Sequence, residues 1–169
     1  MAIQDQIGKD RFDVLRRHLL ELLQDEPAHA SFDRATADLP ADLRGAKPPG
    51  RPHTPWRLVE HMRIAQRDIL EFSRDGRHKS PPWPDGYWPT KDAPASATDW
   101  QRAIREFASD RQSMIDLISA PEADLLAPIP HAPKKQTLAR EAMLLADHTA
   151  YHVGQLILLR RLLGAWKEE

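Results

Sequence analysis

The chain contains no cysteine among its 169 residues. This absence excludes disulfide bonds, thiolate metal ligands and a cysteine nucleophile. The chain also lacks a run of about 18 apolar residues, which a membrane-spanning helix would need. Its N-terminal segment mixes charged and apolar residues and has no apolar signal-peptide core. We therefore expect no membrane association, and these features are compatible with the cytoplasmic location that we predict.

The sequence also lacks an excess of charge of either sign. It has 24 Lys and Arg residues against 25 Asp and Glu residues, which gives a net charge of −1 when His is neutral. Nucleic-acid-binding surfaces need clustered basic residues, so we expect no nucleic-acid partner. Hydrophobic residues make up 41% and charged residues 29%, as is typical of a globular protein. The length predicts a single domain over residues 1–169.

Helical periodicity is present in four stretches, and the 15 prolines lie almost entirely between them. In each stretch apolar residues recur at steps of three and four. The stretches run from about Ala2 to Leu23, from Thr54 to Gly76, from about Ser96 or Thr98 to Pro121, and from about Thr137 to Gly164. No segment alternates with a period of two, so strands are not expected. The pattern predicts an all-α fold, a four-helix bundle.

Two connections between the predicted helices are long and rich in proline. They are Ala30–His53 and Arg77–Ala95. Both exceed the usual length of loops in helical bundles, and long ordered loops are more often functional than simple spacers. A short extra helix is predicted over Asp33–Leu39, inside the first connection.

Three histidines occupy positions where a helical bundle normally has aliphatic side chains. His148 and His152 are four residues apart, which places them about 40° apart on one helix face. They share this stripe with Leu145 and Leu156, and His61 lies on the inward stripe of the second helix. Bundles build metal sites from inward side chains of facing helices. Three neutral imidazoles suit Zn²⁺, Ni²⁺ or Fe²⁺ and leave coordination positions open.

A purely structural interpretation of these histidines is also open. Two histidines four residues apart occur by chance, and a histidine on an apolar face is often only a hydrogen-bonded core residue. Burying three imidazoles together is nevertheless costly unless their nitrogens are satisfied. Thr149 stands where the HExxH metalloproteases have a glutamate that acts as general base, so that class is excluded.

Three segments resemble the DinB/YfiT-like superfamily of metal-binding four-helix-bundle proteins. The segment ADHTAYHVGQLILLRRLLGAW resembles the last helix of that superfamily, and PWRLVEHMRIAQRDILEFS resembles its second helix. The segment SPPWPDGYWP resembles the loop that follows the second helix in one branch. The resemblance extends from about Pro55 to Trp166, with the elements in the same order.

The resemblance implies that the metal ligands are His61, His148 and His152. It also implies a homodimer and a metal-dependent enzyme. Some members of the superfamily are S-transferases or isomerases that use bacillithiol, mycothiol or glutathione. We therefore expect transfer of a low-molecular-weight thiol to a small electrophile, or a related isomerisation or hydrolysis. The alternatives are a non-catalytic, metal-stabilised module for stress response or ligand binding, and a metal-free dimerisation domain.

No catalytic residue is identified from the sequence, but there are two candidates. His131 lies in the loop before the fourth helix, where it is either a proton shuttle near the metal or a surface residue. Gln155 is three residues after His152 and either binds a ligand of the metal or faces a neighbouring helix.

The loop after the second helix concentrates aromatic residues, namely Trp83, Tyr87 and Trp88. They either form a lid or wall over the metal pocket or anchor the loop to the bundle. His53 precedes the second helix and is eight residues from His61, which corresponds to about 12 Å along the helix axis. We therefore do not include His53 in the predicted site.

Overall fold

Five α-helices form the regular structure of residues 2–24 and 28–167, the part of the chain that the computed structural model describes. They are α1 (Ala2–Gln24), α2 (Phe32–Thr36), α3 (Pro55–Arg74), α4 (Ala97–Ser119) and α5 (Leu138–Leu162). Two 3₁₀ turns, Ala41–Leu43 and Asp85–Tyr87, lie in the long connections. These residues include no strand beyond one isolated bridge between Pro128 and Thr137. The predicted all-α fold is confirmed.

None of the helices in the described residues combines the length and the apolar character that crossing a membrane requires. In α1 the side chains are described from Phe12 onward.

The helices begin where the sequence places residues that can cap them. Thr54, Ser96 and Thr137 each accept a hydrogen bond from the backbone N–H three residues later, at 3.2, 3.1 and 3.2 Å respectively. Each bond satisfies one of the backbone donors that the first turn of a helix leaves without a partner. Pro55 occupies the first turn of α3, where its missing N–H has no consequence.

The helix ends agree with the sequence prediction less closely. Gly164 follows α5 with a φ of 68°, a conformation that favours glycine. However, α3 ends at Arg74, two residues before the predicted stop at Gly76. A Cβ at Gly76 would lie 3.3 Å from the ring of His131, so this glycine permits a close approach. The helix predicted over Asp33–Leu39 is instead Phe32–Thr36, because the backbone of Ala37 is extended, with a ψ of 143°.

The core has two clusters along the helices, and α3 packs against both α4 and α5. The first cluster is built around Phe32, Trp56, Trp100, Phe107 and Leu156. The second is built around Leu19, Leu70, Met114, Ile118 and Leu145. On α5, His148 and His152 lie in the stretch between Leu145 of the second cluster and Val153 of the first. On α3, His61 lies beside Val59 and Met62 of the first cluster.

The short helix α2 is fastened to α5 by a buried arginine. Arg160 donates to the carbonyl oxygens of Ala35 at 2.8 Å and Arg34 at 3.3 Å, in the last turn of α2. It also donates to Ala165 after the end of α5. These bonds satisfy the carbonyls that a helix end leaves without partners. The first long connection is thereby held against the bundle.

Candidate metal centre

The imidazoles of His61, His148 and His152 converge between α3 and α5. Nε2 of His61 lies 3.0 Å from Nε2 of His152 and 3.0 Å from Nε2 of His148. The rings of His61 and His152 are buried, with 4% and 7% of their surfaces exposed, and His148 is half-buried. The structure thus brings all three predicted residues into a group whose nitrogens could hold one metal ion.

The opposite nitrogens of two of these rings are held by oxygen acceptors. Nδ1 of His61 donates to the backbone carbonyl of Tyr87 at 2.8 Å, and Nδ1 of His152 donates to Oε1 of Gln155 at 2.9 Å. Because these oxygens only accept hydrogen bonds, both rings carry their proton on Nδ1 when neutral. Their Nε2 lone pairs therefore face each other without a proton between them. Histidine ligands of metals are usually oriented in this way.

Burial keeps the three rings neutral. It lowers the pKa of His61 to about 4, despite the Tyr87 carbonyl, which favours the protonated ring. Burial also lowers the pKa of His148 to about 4, and His152 and His61 add to the effect. The pKa of His152 is lowered by burial as well. At neutral pH, therefore, no added proton lies between Nε2 of His61 and Nε2 of His152, and their lone pairs still face each other.

The arrangement fits a divalent cation. An ion about 2.0–2.1 Å from each nitrogen requires the nitrogens to be about 2.9–3.4 Å apart, for angles of roughly 90–110° at the ion. The two separations from Nε2 of His61, both 3.0 Å, fall in this range, and the three ligand nitrogens all lie within 4.8 Å of one another. Three imidazoles and no thiolate suit Zn²⁺, Ni²⁺ or Fe²⁺ and leave positions open for a further ligand.

Trp88 forms a wall on one side of His61. The indole stacks on the His61 ring with centroids 3.8 Å apart and planes 1° apart. His53 stacks on the same indole at 4.1 Å and 9°, so the two imidazoles sandwich it. His53 is not one of the converging histidines. It nevertheless contacts the wall of the site, because Trp88 lies between it and His61.

Tyr87 anchors the second long connection to α3. Its hydroxyl donates to Oδ2 of Asp68 at 2.6 Å, and Nε2 of His78 contacts the other oxygen of Asp68 at 2.7 Å. Burial, together with Asp68, raises the pKa of Tyr87 to about 12, so the phenol remains a donor. Trp83, in contrast, is 79% exposed. The three aromatic residues of the loop thus differ in their contacts. Tyr87 anchors the loop, Trp88 lines the site, and Trp83 is exposed to solvent.

The two candidate catalytic residues have different surroundings. Gln155 is next to the histidines, where it orients His152. His131 instead donates from Nε2 to the carbonyl of Phe72 at 2.6 Å, near the end of α3. Phe72 is 11 residues from His61, which corresponds to about 16 Å along the helix. Of the two alternatives for His131, the surface residue therefore agrees with the structure and the proton shuttle near the metal does not. Its contact satisfies a carbonyl at the end of α3.

Only some of these residues carry a signal in the sequence. The aromatic density of the loop was a signal for Tyr87 and Trp88, although it did not show which one faces His61. The sequence contains no signal for His53 or Asp68. His53 contacts the site only by way of Trp88, and Asp68 only by way of Tyr87.

Comparison with known proteins gives one result at the level of the family. No curated protein and no solved structure matches this chain. The family model described as the DinB superfamily matches residues 24–156. This range includes α3, α4, most of α5 and all three converging histidines. The chain therefore belongs to the DinB superfamily.

Proposed function

We propose that His61, His148 and His152 bind one divalent cation, Zn²⁺, Ni²⁺ or Fe²⁺, in a metal-dependent enzyme that acts on small molecules. The observation that carries this proposal is the opposition of two Nε2 lone pairs at 3.0 Å, with both Nδ1 protons committed to oxygen acceptors. A buried polar group without a partner is unfavourable, and a cation satisfies all three nitrogens together.

The proposed reaction is transfer of a low-molecular-weight thiol to a small electrophile, with isomerisation or hydrolysis as related outcomes. Because the chain has no cysteine, the thiol must be a cosubstrate. When bound, the cation supplies Lewis acidity that lowers the pKa of a thiol or water. In the transfer, the thiol sulfur forms a bond to carbon, the leaving group departs with its electron pair, and the thiol proton passes to solvent. Tyr87 and Gln155 hold two of the ligand rings in place.

The experiment follows thiol transfer directly. Purified protein with Zn²⁺ or Ni²⁺ is mixed with monochlorobimane and, in turn, bacillithiol, mycothiol or glutathione, and the fluorescent adduct is measured. We expect one thiol to react faster than with the metal alone, and His61→Ala to lose this increase. His18→Ala is the matched control, since His18 is exposed on α1. Failure of all three thiols to react above the metal-only rate would remove the basis for the transferase.

A cavity beside the site favours a second candidate, a non-catalytic ligand-binding module stabilised by the metal. The cavity has a volume of about 150 Å³ and is lined by Arg51, Pro52, His53, Leu58, Gln155, Leu158 and Leu159. Apolar lining with a few polar groups is typical of sites for small ligands. Binding of small aromatic ligands with no turnover of any thiol would favour this function over the enzyme.

The proposal includes a homodimer, and a surface of α5 supports it. Met143, Tyr151, Leu158 and Leu162 are 44 to 64% exposed and lie on one face of the helix. No such surplus stripe was recognised in the sequence. A Cβ at Gly154, on the same face, would meet nothing within 4 Å, so a partner helix could approach closely there.

Light scattering after size-exclusion chromatography tests the dimer. We expect the wild type to elute as a dimer and Leu158→Arg to elute as a monomer, because a buried guanidinium at the interface would lack a partner. Leu126→Arg is the control, since Leu126 is equally exposed but lies in a loop outside the stripe. A monomeric wild type would refute the dimer without affecting the metal site.

A further inference from the structure

Tyr87 is fixed at both ends, once through its backbone and once through its side chain. Its carbonyl accepts the proton of His61 Nδ1 at 2.8 Å, and its hydroxyl donates to Asp68 at 2.6 Å. His61 and Asp68 are seven residues apart on α3, so they lie two turns, about 10 Å, apart on nearly the same face. The residue thus lies along α3 and is attached to it at two points.

The attachment at Asp68 is strong for a loop contact. The carboxylate side chain is 12% exposed, and each of its oxygens has its own partner, Tyr87 or His78. Hydrogen bonds to an ionised acceptor are roughly twice as strong as those between neutral groups. Because His78 lies near the start of the loop, Asp68 holds two separate points of the segment 78–87.

We propose that Asp68 is a positioning residue for the metal centre and that it acts through Tyr87 on His61. This inference rests on the proposed metal site. The orientation of the Tyr87 carbonyl depends on the backbone dihedral angles of the loop, and the anchored phenol restricts them. The same peptide leads directly into Trp88, whose indole stacks on His61. The hydrogen bond between Tyr87 and Asp68 therefore fixes both the position of the proton on His61 and the plane of its ring, two helical turns away.

A role confined to loop stability makes a different prediction. If Asp68 only fastens the loop, releasing the phenol would lower the melting temperature and leave the cation affinity of the folded protein unchanged. If it acts through His61, the affinity must fall even where the fold is intact. The two roles therefore separate in a binding measurement.

The central comparison is between Tyr87→Phe and Tyr151→Phe. Both changes remove only a phenolic oxygen. That of Tyr87 contacts Asp68, whereas the Tyr151 ring lies against His152 with most of its surface exposed. Zn²⁺ affinity is measured by competition with a chromophoric chelator. We expect Tyr87→Phe to bind Zn²⁺ about tenfold more weakly, since loss of an orienting partner typically weakens metal affinity 10–100-fold. Tyr151→Phe should match the wild type.

Two Asp68 variants test the other end of the contact. Asp68→Ala should weaken Zn²⁺ binding at least as much as Tyr87→Phe does. Asp68→Asn should restore much of the affinity, because its amide oxygen can still accept from the phenol. Equal loss in the two Asp68 variants would argue that charge alone matters and would overturn the positioning role.

A double-mutant cycle with His61→Ala shows whether the effect passes through this ligand. In that background, Tyr87→Phe should not weaken the residual Zn²⁺ binding further. An equal loss in both backgrounds would contradict the inference. Wild-type Zn²⁺ affinity in Tyr87→Phe would also contradict the inference. That result would not contradict the proposed metal site.

A measurement without metal separates the two proposals. Nitrogen NMR of the histidine rings should show the Nδ1–H tautomer of His61 in the metal-free wild type and a mixture of tautomers in Tyr87→Phe. If the wild type binds no cation, the proposed function fails, whereas this spectrum still tests the orientation of His61 by Asp68 and Tyr87. Identical tautomers in both proteins would refute that orientation.

Discussion

The addition of Zn²⁺ to metal-free protein should raise its melting temperature. His61 belongs to α3, whereas His148 and His152 belong to α5, so the complete set of ligands exists only when these helices are packed together. A ligand that binds only the folded state adds about 2.7 kcal/mol of stability when its free concentration is 100 times Kd. For a domain of this size, 1 kcal/mol shifts the melting temperature by roughly 2–4 °C. The expected increase is therefore roughly 5–11 °C.

The assay is thermal unfolding followed by circular dichroism, on protein treated with chelator and then titrated with Zn²⁺. Replacing any one of the three histidines with alanine should remove most of the increase. The control is His18→Ala, because His18 is on α1 with 58% of its side chain exposed. Binding of one ion between α3 and α5 would be refuted if the wild type showed no increase, or if His61→Ala showed the same increase as the wild type.

Three further predictions concern pH, orientation and fluorescence. Burial lowers the pKa of His61 and His148 to about 4 from an ordinary 6.5, so the unfolded chain binds more protons between these values. The free energy of unfolding of the metal-free protein should therefore decrease as the pH falls from 6.5 towards 4, as chemical denaturation at several pH values will show. Gln155→Leu should weaken Zn²⁺ binding by about 10–100-fold in chelator competition, because His152 loses its Nδ1 acceptor. Ni²⁺ binding should quench part of the tryptophan emission, and Trp88→Phe should lose that quenching, since the Trp88 indole is stacked on a ligand.

Local features of the chain were enough to predict the main helices. Thr54, Ser96 and Thr137 act as caps because their side-chain oxygens replace carbonyls that the first helical turn lacks. This preference operates over three residues and does not depend on the rest of the fold. The period of the apolar residues likewise reflects which face of a helix is buried.

The histidine group was predictable for a related reason. The four-residue step between His148 and His152 is a property of one helix. The apolar periodicity of the second helix placed His61 on its inward stripe, and the resemblance to a known superfamily agreed with this. All three side chains lie on regular helices that pack against each other. Their spacing in the sequence therefore determines which of them face the core.

The surroundings of the site were not predictable from spacing. The contacts of Tyr87, Trp88 and His53 depend on the path of a long loop, which is set by tertiary contacts such as the bond to Asp68. The two alternatives for His131 could not be separated for the same reason, because the path of its loop brings it to the end of α3. In a loop the backbone geometry does not repeat. Residues that are in contact there are therefore not separated by a regular number of positions in the sequence.

The separation of the histidines along the chain has a consequence for the unfolded state. His61 and His148 are 87 residues apart, yet their ring nitrogens are 3.0 Å apart. In a chain without cysteine, an ion shared by these residues would take the place of a disulfide that closes a long loop. By the chain-entropy estimate, such a closure is worth roughly 4–5 kcal/mol. Unlike a disulfide, this cross-link would form and release with the supply of free metal, independently of the redox state of the surroundings.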